Sequence, residues 1–339
     1  MHSFPALTEA AGHGYRFDWV VEEAFVDLAA MHPAVDTVLP FGLRRWRRRP
    51  FAGLSELATF VRQLRGRSYS KVLDAQGLVK SSFVGRVSGA AERIGLDADS
   101  AREPLSARLH TSAVKVGWDQ HAIDRLRLLF ASALNYSVDV STPVPSPFAT
   151  NTSLGIQTTG ASPIQKTVLI HGTTWRSKEY PEIAWRVLID RLLEAGHAIA
   201  LVSGSATEYE RAQRLCGNLK EQSARVEALP LGSLADAAAH VLDARLVIGI
   251  DSGLTHLAAV LGRPTIGLYG ATDADRTGVR GPLAADLTSD FFCSPCMQRE
   301  CSYQGRPEFL DDAPLVPACF SKITAEQVMR AVEKLDVNN

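Results

Sequence analysis

"GIDSGLTHLAAVLGRPTIGLYG" (Gly249–Gly270) follows the apolar run "RLVIGI" and turns from a β-rich pattern into a helical one. Leu254, Leu257, Ala258 and Leu261 recur at i, i+3, i+4 and i+7, one helix face directed to a core. His256 lies on roughly the opposite side. The N–H groups of Ser252, Gly253 and Leu254 open this helix without intrahelical partners and suit an anion such as phosphate. Asp251 beside them is either part of a binding site or only a helix cap, since Asp is a favoured cap.

Around this stretch, strand and helix patterns alternate. "KTVLIHG" (Lys166–Gly172), "AIALVSG" (Ala198–Gly204), "ARVEALP" (Ala224–Pro230), "RLVIGI" and "PTIGLYG" are strands, separated by amphipathic helices such as "EIAWRVLIDRLLEAG" (Glu182–Gly196). That order predicts a parallel sheet covered on both faces, with ligands beyond the carboxyl ends of its strands. A second junction, "HGTTWRSKEYPEIAW" (His171–Trp185), has the same form. Thr173 and Thr174 offer hydroxyls there, and Lys178 offers a cation whose only neighbouring carboxylate in sequence is Glu179. Two such junctions at one cleft would serve a diphosphate. Neither is a Walker A loop or a GxGxxG turn, which argues against an NTPase or a dehydrogenase.

The first half carries candidate strands at Phe17–Val21, Thr37–Phe41, Lys71–Ala75 and Arg93–Leu96. Ser141–Pro163, rich in Pro, Ser, Thr and Gly, reads as a linker. The expected fold is therefore α/β, with two doubly wound, Rossmann-like domains: 1–150 and 164–320, followed by a C-terminal helix in 321–339 that packs back toward the first domain. A chain of 339 residues with 36 basic and 37 acidic side chains has no bulk charge to favour nucleic acid. No apolar run is long enough to span a membrane, and the chain reads as cytoplasmic. Basic charge gathers locally in "RRWRRRP" (Arg44–Pro50), with Trp46 as its single interleaved aromatic. Of five cysteines, Cys293, Cys296, Cys301 and Cys319 gather late. Their Cys-x2-Cys-x4-Cys spacing with a distant fourth leaves a zinc site open, although the second pair lacks the usual close spacing.

"HGTTWRSKEYPE", "GSATEYERAQRL", "DSGLTHLAAVLGRPTIGLYGATD", "LDAQGLVKSS" and "SAREPL" together resemble the ADP-heptose-dependent heptosyltransferases, two-domain glycosyltransferases of the GT-B fold. The resemblance covers nearly the whole chain. It implies inverting transfer of L-glycero-D-manno-heptose from ADP-heptose to Kdo of lipid A, without metal or other cofactor, by a peripheral enzyme on the inner face of the inner membrane. Matched motif by motif, Thr173, Thr174 and Lys178 would contact the donor diphosphate, Lys178 stabilising the leaving group. Glu208 would hold the nucleoside, Asp251 the heptose hydroxyls, and Ser252, Gly253, Leu254 and His256 the phosphates. Arg44, Arg45, Arg47, Arg48, Arg102, His121 and Arg125 would meet the acceptor. Asp74, Gln76 and Lys80 would line a turn on the acceptor side or serve packing alone. The family begins with a strand and a Gly-Asp loop whose Asp is the expected base, and "MHSFPALTEAAGHG" matches only the segment after that loop. The resemblance thus implies an N-terminally truncated chain that binds ADP-heptose but transfers little. The alternatives are a GT-B transferase with another acceptor or a non-catalytic sugar-nucleotide-binding protein.

Overall fold

The computed structural model describes residues 1–48, 50–142, 166–217 and 225–336, which fall into two units. Nearly all of the anticipated linker lies outside the described residues.

The first unit starts with α1 (Phe4–Gly12), which has Pro5 in its first turn, where a missing N–H costs nothing. β1 (Phe17–Glu22), α2 (Val26–Ala30), β2 (Val35–Phe41), α3 (Leu43–Arg48) and α4 (Pro50–Arg65) follow. Then come β3 (Lys71–Asp74), α5 (Val79–Val87), β4 (Glu92–Leu96), β5 (Ser112–Val114) and α6 (Ala122–Leu134). α1 buries Ala6, Leu7 and Ala10 against Leu129, Phe130, Ala133 and Leu134 of α6. All four strands anticipated in this half are present. They do not make one doubly wound sheet: β1 pairs in parallel with β2, while β3, β4 and β5 form a separate parallel sheet. β1 and β3 border a cavity of about 490 Å³. Side chains cross between the two sheets instead of backbone hydrogen bonds: Tyr69 Oη and Arg67 reach Asp18, and Lys80 donates to Glu22 at 2.7 Å.

The second unit is a six-stranded sheet. Its elements are β6 (Thr167–Ile170), α7 (Glu182–Glu194), β7 (Ile199–Val202), α8 (Ala206–Cys216), β8 (Val226–Ala228), α9 (Leu234–Leu242), β9 (Leu246–Ile250), α10 (Gly253–Val260), β10 (Thr265–Tyr269), α11 (Ala274–Thr277) and β11 (Ala284–Thr288). A short hairpin of β12 (Phe309–Leu310) and β13 (Ala313–Pro314) precedes α12 (Ala325–Asp336). Every pairing in the large sheet is parallel, in the order β11-β10-β9-β6-β7-β8. Alternate residues Leu246, Ile248 and Ile250 of β9 join a core with Trp185, Leu188 and Leu192 of α7. Val328, Ala331, Val332 and Leu335 of α12 join the same core. The apolar stripe of this last helix packs on α7, β10 and β11 of its own unit. Among the described residues no helix is long and apolar enough to cross a membrane.

The other face of β9 is occupied by α10. A Cβ on Gly249 would stand 2.3 Å from Thr255 Oγ1 and 2.9 Å from Ile170 Cβ. Thr255 is fully buried and donates to Ile250 O at 2.7 Å, so it has no room to yield. Gly249→Ala should therefore destabilise the second unit by about 1–3 kcal/mol, as overpacking does. A lower denaturant midpoint for this unit with an unchanged first-unit signal is the expected result.

Candidate functional site

The strand order fixes where the second unit can bind. β6 leads outward to β7 on one side, and β9 leads outward to β10 on the other. The two central strands thus send their chains in opposite directions, which opens a crevice at their carboxyl ends, the usual ligand position in such sheets. Both junctions singled out in the sequence leave from this point: His171–Lys178 after β6 and Asp251–Ser252 before α10.

There the structure joins what the sequence separates. Lys178 Nζ donates to Asp251 Oδ2 at 2.7 Å, across 73 residues of chain. The lysine thus has a carboxylate partner that no local reading could supply, in place of Glu179. The other carboxylate oxygen of Asp251 lies 2.9 Å from His256 Nε2. His256 is buried and turned back onto Asp251. Burial alone would raise the Asp251 pKa. The His256 hydrogen bond and the Lys178 charge outweigh it and hold the carboxyl well below the usual range. Asp251 is not a helix cap: the N-cap of α10 is Ser252, and no side chain caps that end. Ser252 Oγ pairs with Thr255 Oγ1 at 3.0 Å. A Cβ on Gly253 would meet nothing within 4 Å, so the first turn of α10 is open on that side, and its first N–H groups have no intrahelical partners. Leu254 is half-buried beside them.

On the β6 side, Thr173 is half-buried and Thr174 exposed. Glu208, in the first turn of α8, is half-buried and accepts from Gly204 N at 2.7 Å. A Cβ on Gly172 would collide with its carboxylate, so Gly172 allows Glu208 to lie directly beside the strand end. Three residues missed in the sequence hold this loop. Arg211, buried on α8, donates to the carbonyls of His171 and Tyr180 and pairs with Glu179 at 3.2 Å. The Trp175 ring lies 4.5 Å from Lys178 Nζ and 5.6 Å from the Arg299 guanidinium. A lone Arg on an amphipathic helix and an exposed-looking Trp carry no sequence signal for this. Ser177 is also tied to the backbone of Gln298 and Arg299.

The residues matched to an acceptor lie in the first unit and divide by duty. Arg44 and Arg45 of α3 pair with Glu22 and with Glu23 and Glu56, while Arg47 and Arg48 are exposed. Trp46 turns inward against Phe41 and Phe60 and is not a stacking platform. Arg102 is exposed. His121 and Arg125 do not form one exposed pair. His121 is the buried N-cap of α6, its Nδ1 accepting from Ile123 N at 3.2 Å. Arg125 lies 3.7 Å over the Trp118 ring and donates to Ser100 O. Asp74 is a buried anchor for Gln76 N, Gly77 N, Ser82 and His110, and Lys80 is paired with Glu22.

Residues 57–306 match the model of glycosyltransferase family 9 (heptosyltransferase). The chain is 40% identical over 343 residues to lipopolysaccharide heptosyltransferase 1 of Pseudomonas aeruginosa, covering 99% of this chain and 94% of that one. It is 38% identical to the protein of the same name from Escherichia coli K12, over 83% of this chain and 87% of that one. Among solved structures it is similar to E. coli heptosyltransferase WaaC with ADP, with a TM-score of 0.79 and 34% identity over 98% of this chain and 95% of that one. WaaC with ADP-2-deoxy-2-fluoro heptose gives a TM-score of 0.76 at the same identity and coverage.

His171, fully buried at the end of β6, is pushed down to about 4, first by burial and then by the Arg211 charge. Because the folded value lies below the unfolded 6.5, His171 favours the folded state fully above pH 6.5. That contribution, about 3 kcal/mol at most, is lost as pH falls from 6.5 toward 4. Urea midpoints measured across this window should fall for the parent chain and slope less for His171→Gln; parallel slopes would assign the loss to other groups.

Proposed function

The chain belongs to glycosyltransferase family 9, the heptosyltransferases, and from that premise we propose that it transfers heptose from ADP-heptose to a Kdo sugar of lipid A. The observation that carries this reading is the Lys178–Asp251–His256 cluster at the switch point of the second sheet, beside the open end of α10. An ADP-sugar supplies what that arrangement lacks. Its diphosphate is an anion for the α10 N–H groups and for Lys178, and its sugar hydroxyls are hydrogen-bond donors for the Asp251 carboxylate. The relatives crystallised with ADP and with a fluorinated ADP-heptose support this class of donor.

In an inverting transfer the acceptor hydroxyl attacks the anomeric carbon while the bond to the ADP oxygen breaks. Negative charge then grows on the departing phosphate. Lys178 is the cation placed to offset it, and the α10 N–H groups act in the same direction. Thr173 and Thr174, at the same strand end, hydrogen-bond the phosphate oxygens. Glu208 takes the nucleoside hydroxyls beside Gly172.

The acceptor reading rests on the first unit. Arg47 and Arg48 present forked donors suited to phosphate and carboxylate, and Arg44 adds to them. Val79 and Phe83 on α5, together with Leu105 in the turn packed on it, leave apolar side chains exposed on the same unit as this basic helix. Apolar and basic surface on one unit suits a lipid-linked anionic acceptor met at the inner face of a membrane. Asp18 and Glu22 of β1 are not offered as the base for the hydroxyl proton. Both are ion-paired, and Lys80, ahead of Arg44, holds Glu22 below the usual carboxylate range.

Lys178→Ala should lower kcat by roughly 10²–10³-fold, the scale of losing one transition-state donor, while changing ADP affinity far less. Single-turnover transfer from ADP-heptose to Kdo-lipid A, set beside calorimetry with ADP, separates the two; an unchanged kcat would remove Lys178 from the reaction. Arg44→Ala, Arg47→Ala and Arg48→Ala combined should raise the acceptor KM by roughly tenfold per lost charge-assisted contact and leave ADP binding intact. Arg45 is left in place because its pairs with Glu23 and Glu56 serve the fold. Equal loss of ADP affinity in this triple variant would overturn the acceptor role.

A further inference from the structure

Cys293, Cys296, Cys301 and Cys319, four of the five cysteines, line a single cavity of about 260 Å³ in the second unit. Cys216 sits apart on α8. Two of the four come from one tight turn: Met297, directly after Cys296, has φ 56°, and this left-handed residue folds the chain back over the Cys-x2-Cys pair. Backbone ties fix the surrounding frame. Met297 N donates to Ala271 O at 2.8 Å, Ser294 to Gly270 O, and Ser289 Oγ to Cys319 O at 2.7 Å. None of these thiols has a task in the transfer chemistry.

We propose that Cys293, Cys296, Cys301 and Cys319 bind one soft divalent metal ion, zinc(II) in the first instance, as a structural tetrathiolate. Four sulfur ligands and no open position define a closed structural site, distinct in kind from a catalytic one. Binding turns four thiols into four thiolates, releases four protons to solvent and changes no oxidation state. Among the described residues no three His, Cys, Asp or Glu groups stand already gathered as a metal centre, so the sulfurs line the wall rather than meet. A cysteine sulfur moves by rotation about one dihedral, χ1, within a fixed backbone frame.

The consequence reaches the Lys178 loop. The segment between Cys296 and Cys301 carries Gln298 and Arg299, whose carbonyls accept from Ser177, the residue beside Lys178. Arg299 also lies over Trp175. A metal ion holding both ends of that segment would fix the surface against which Lys178 is positioned.

The test uses the full chain, reduced and stripped of metal, titrated with Co²⁺ and then Zn²⁺. One equivalent of Co²⁺ should give the thiolate charge-transfer and intense visible bands of a tetrahedral sulfur site, and Zn²⁺ should abolish them. Cys301 is exposed, so Cys301→Ser should fold while losing affinity by roughly 10–100-fold or more. Cys216→Ser should bind as the parent does. Amide exchange in residues 172–178 should slow when Zn²⁺ is added. Absent or weak octahedral bands, equal binding by Cys301→Ser, or pairing of these thiols as disulfides under the same conditions would overturn the site. Unchanged exchange would overturn its link to the Lys178 loop.

Discussion

The Lys178–Asp251 ion pair is the interaction on which the second unit's chemistry depends. Both groups are largely buried, and burying two charges is costly unless each is matched and further hydrogen-bonded. Here the match is made by adjacent strands. β6 and β9 lie side by side, so the loops leaving them meet although the residues are far apart in sequence. His256 occupies the second carboxylate oxygen. Removal of one member would strand a charge that the others hold in place. The pair also gives this junction a definite state: the cation is matched by a carboxylate on the neighbouring strand's loop.

That arrangement explains several less conspicuous residues around it. Gly249 lets α10 approach β9 closely enough for His256 to reach Asp251, and Gly172 lets Glu208 lie against the end of β6. Arg211 ties the carbonyls of His171 and Tyr180, which fixes the two ends of the loop that carries Lys178. Ser177 anchors the middle of the same loop on the cysteine-bearing segment. Each is a backbone constraint rather than a reacting group, and together they set the lysine against the carboxylate within hydrogen-bond distance.

The first unit follows a different rule. Its charged residues are mostly committed to each other: Asp18 with Arg67, Glu22 with Lys80 and Arg44, Arg127 with Glu9 and Asp124. Buried Arg127 in particular holds α1 to α6 by a two-nitrogen contact to one Glu9 oxygen. What remains on the surface is therefore informative: Arg44, Arg45, Arg47, Arg48 and Arg102 all stay exposed, Arg44 and Arg45 while paired with Glu22, Glu23 and Glu56.

The alternation of strands and helices is legible in the residues alone, because apolar runs of strand length and helical periodicity are local properties. All of the strands the sequence marks exist within a few residues. The short β5 and the partly polar β11 escaped it, since neither has an apolar run to mark it. It also placed both junctions and named Lys178, Asp251 and His256. What those residues do to each other follows from the packed fold. Whether Asp251 caps a helix or holds a lysine depends on which strand lies next to β9, and that is a fact of sheet order rather than of local pattern. His121 and Arg125 likewise stand four residues apart in sequence, and it is the start of α6 at His121 that makes one a cap and leaves the other over Trp118. Local propensity writes the elements; burial and long-range pairing assign the charges their partners.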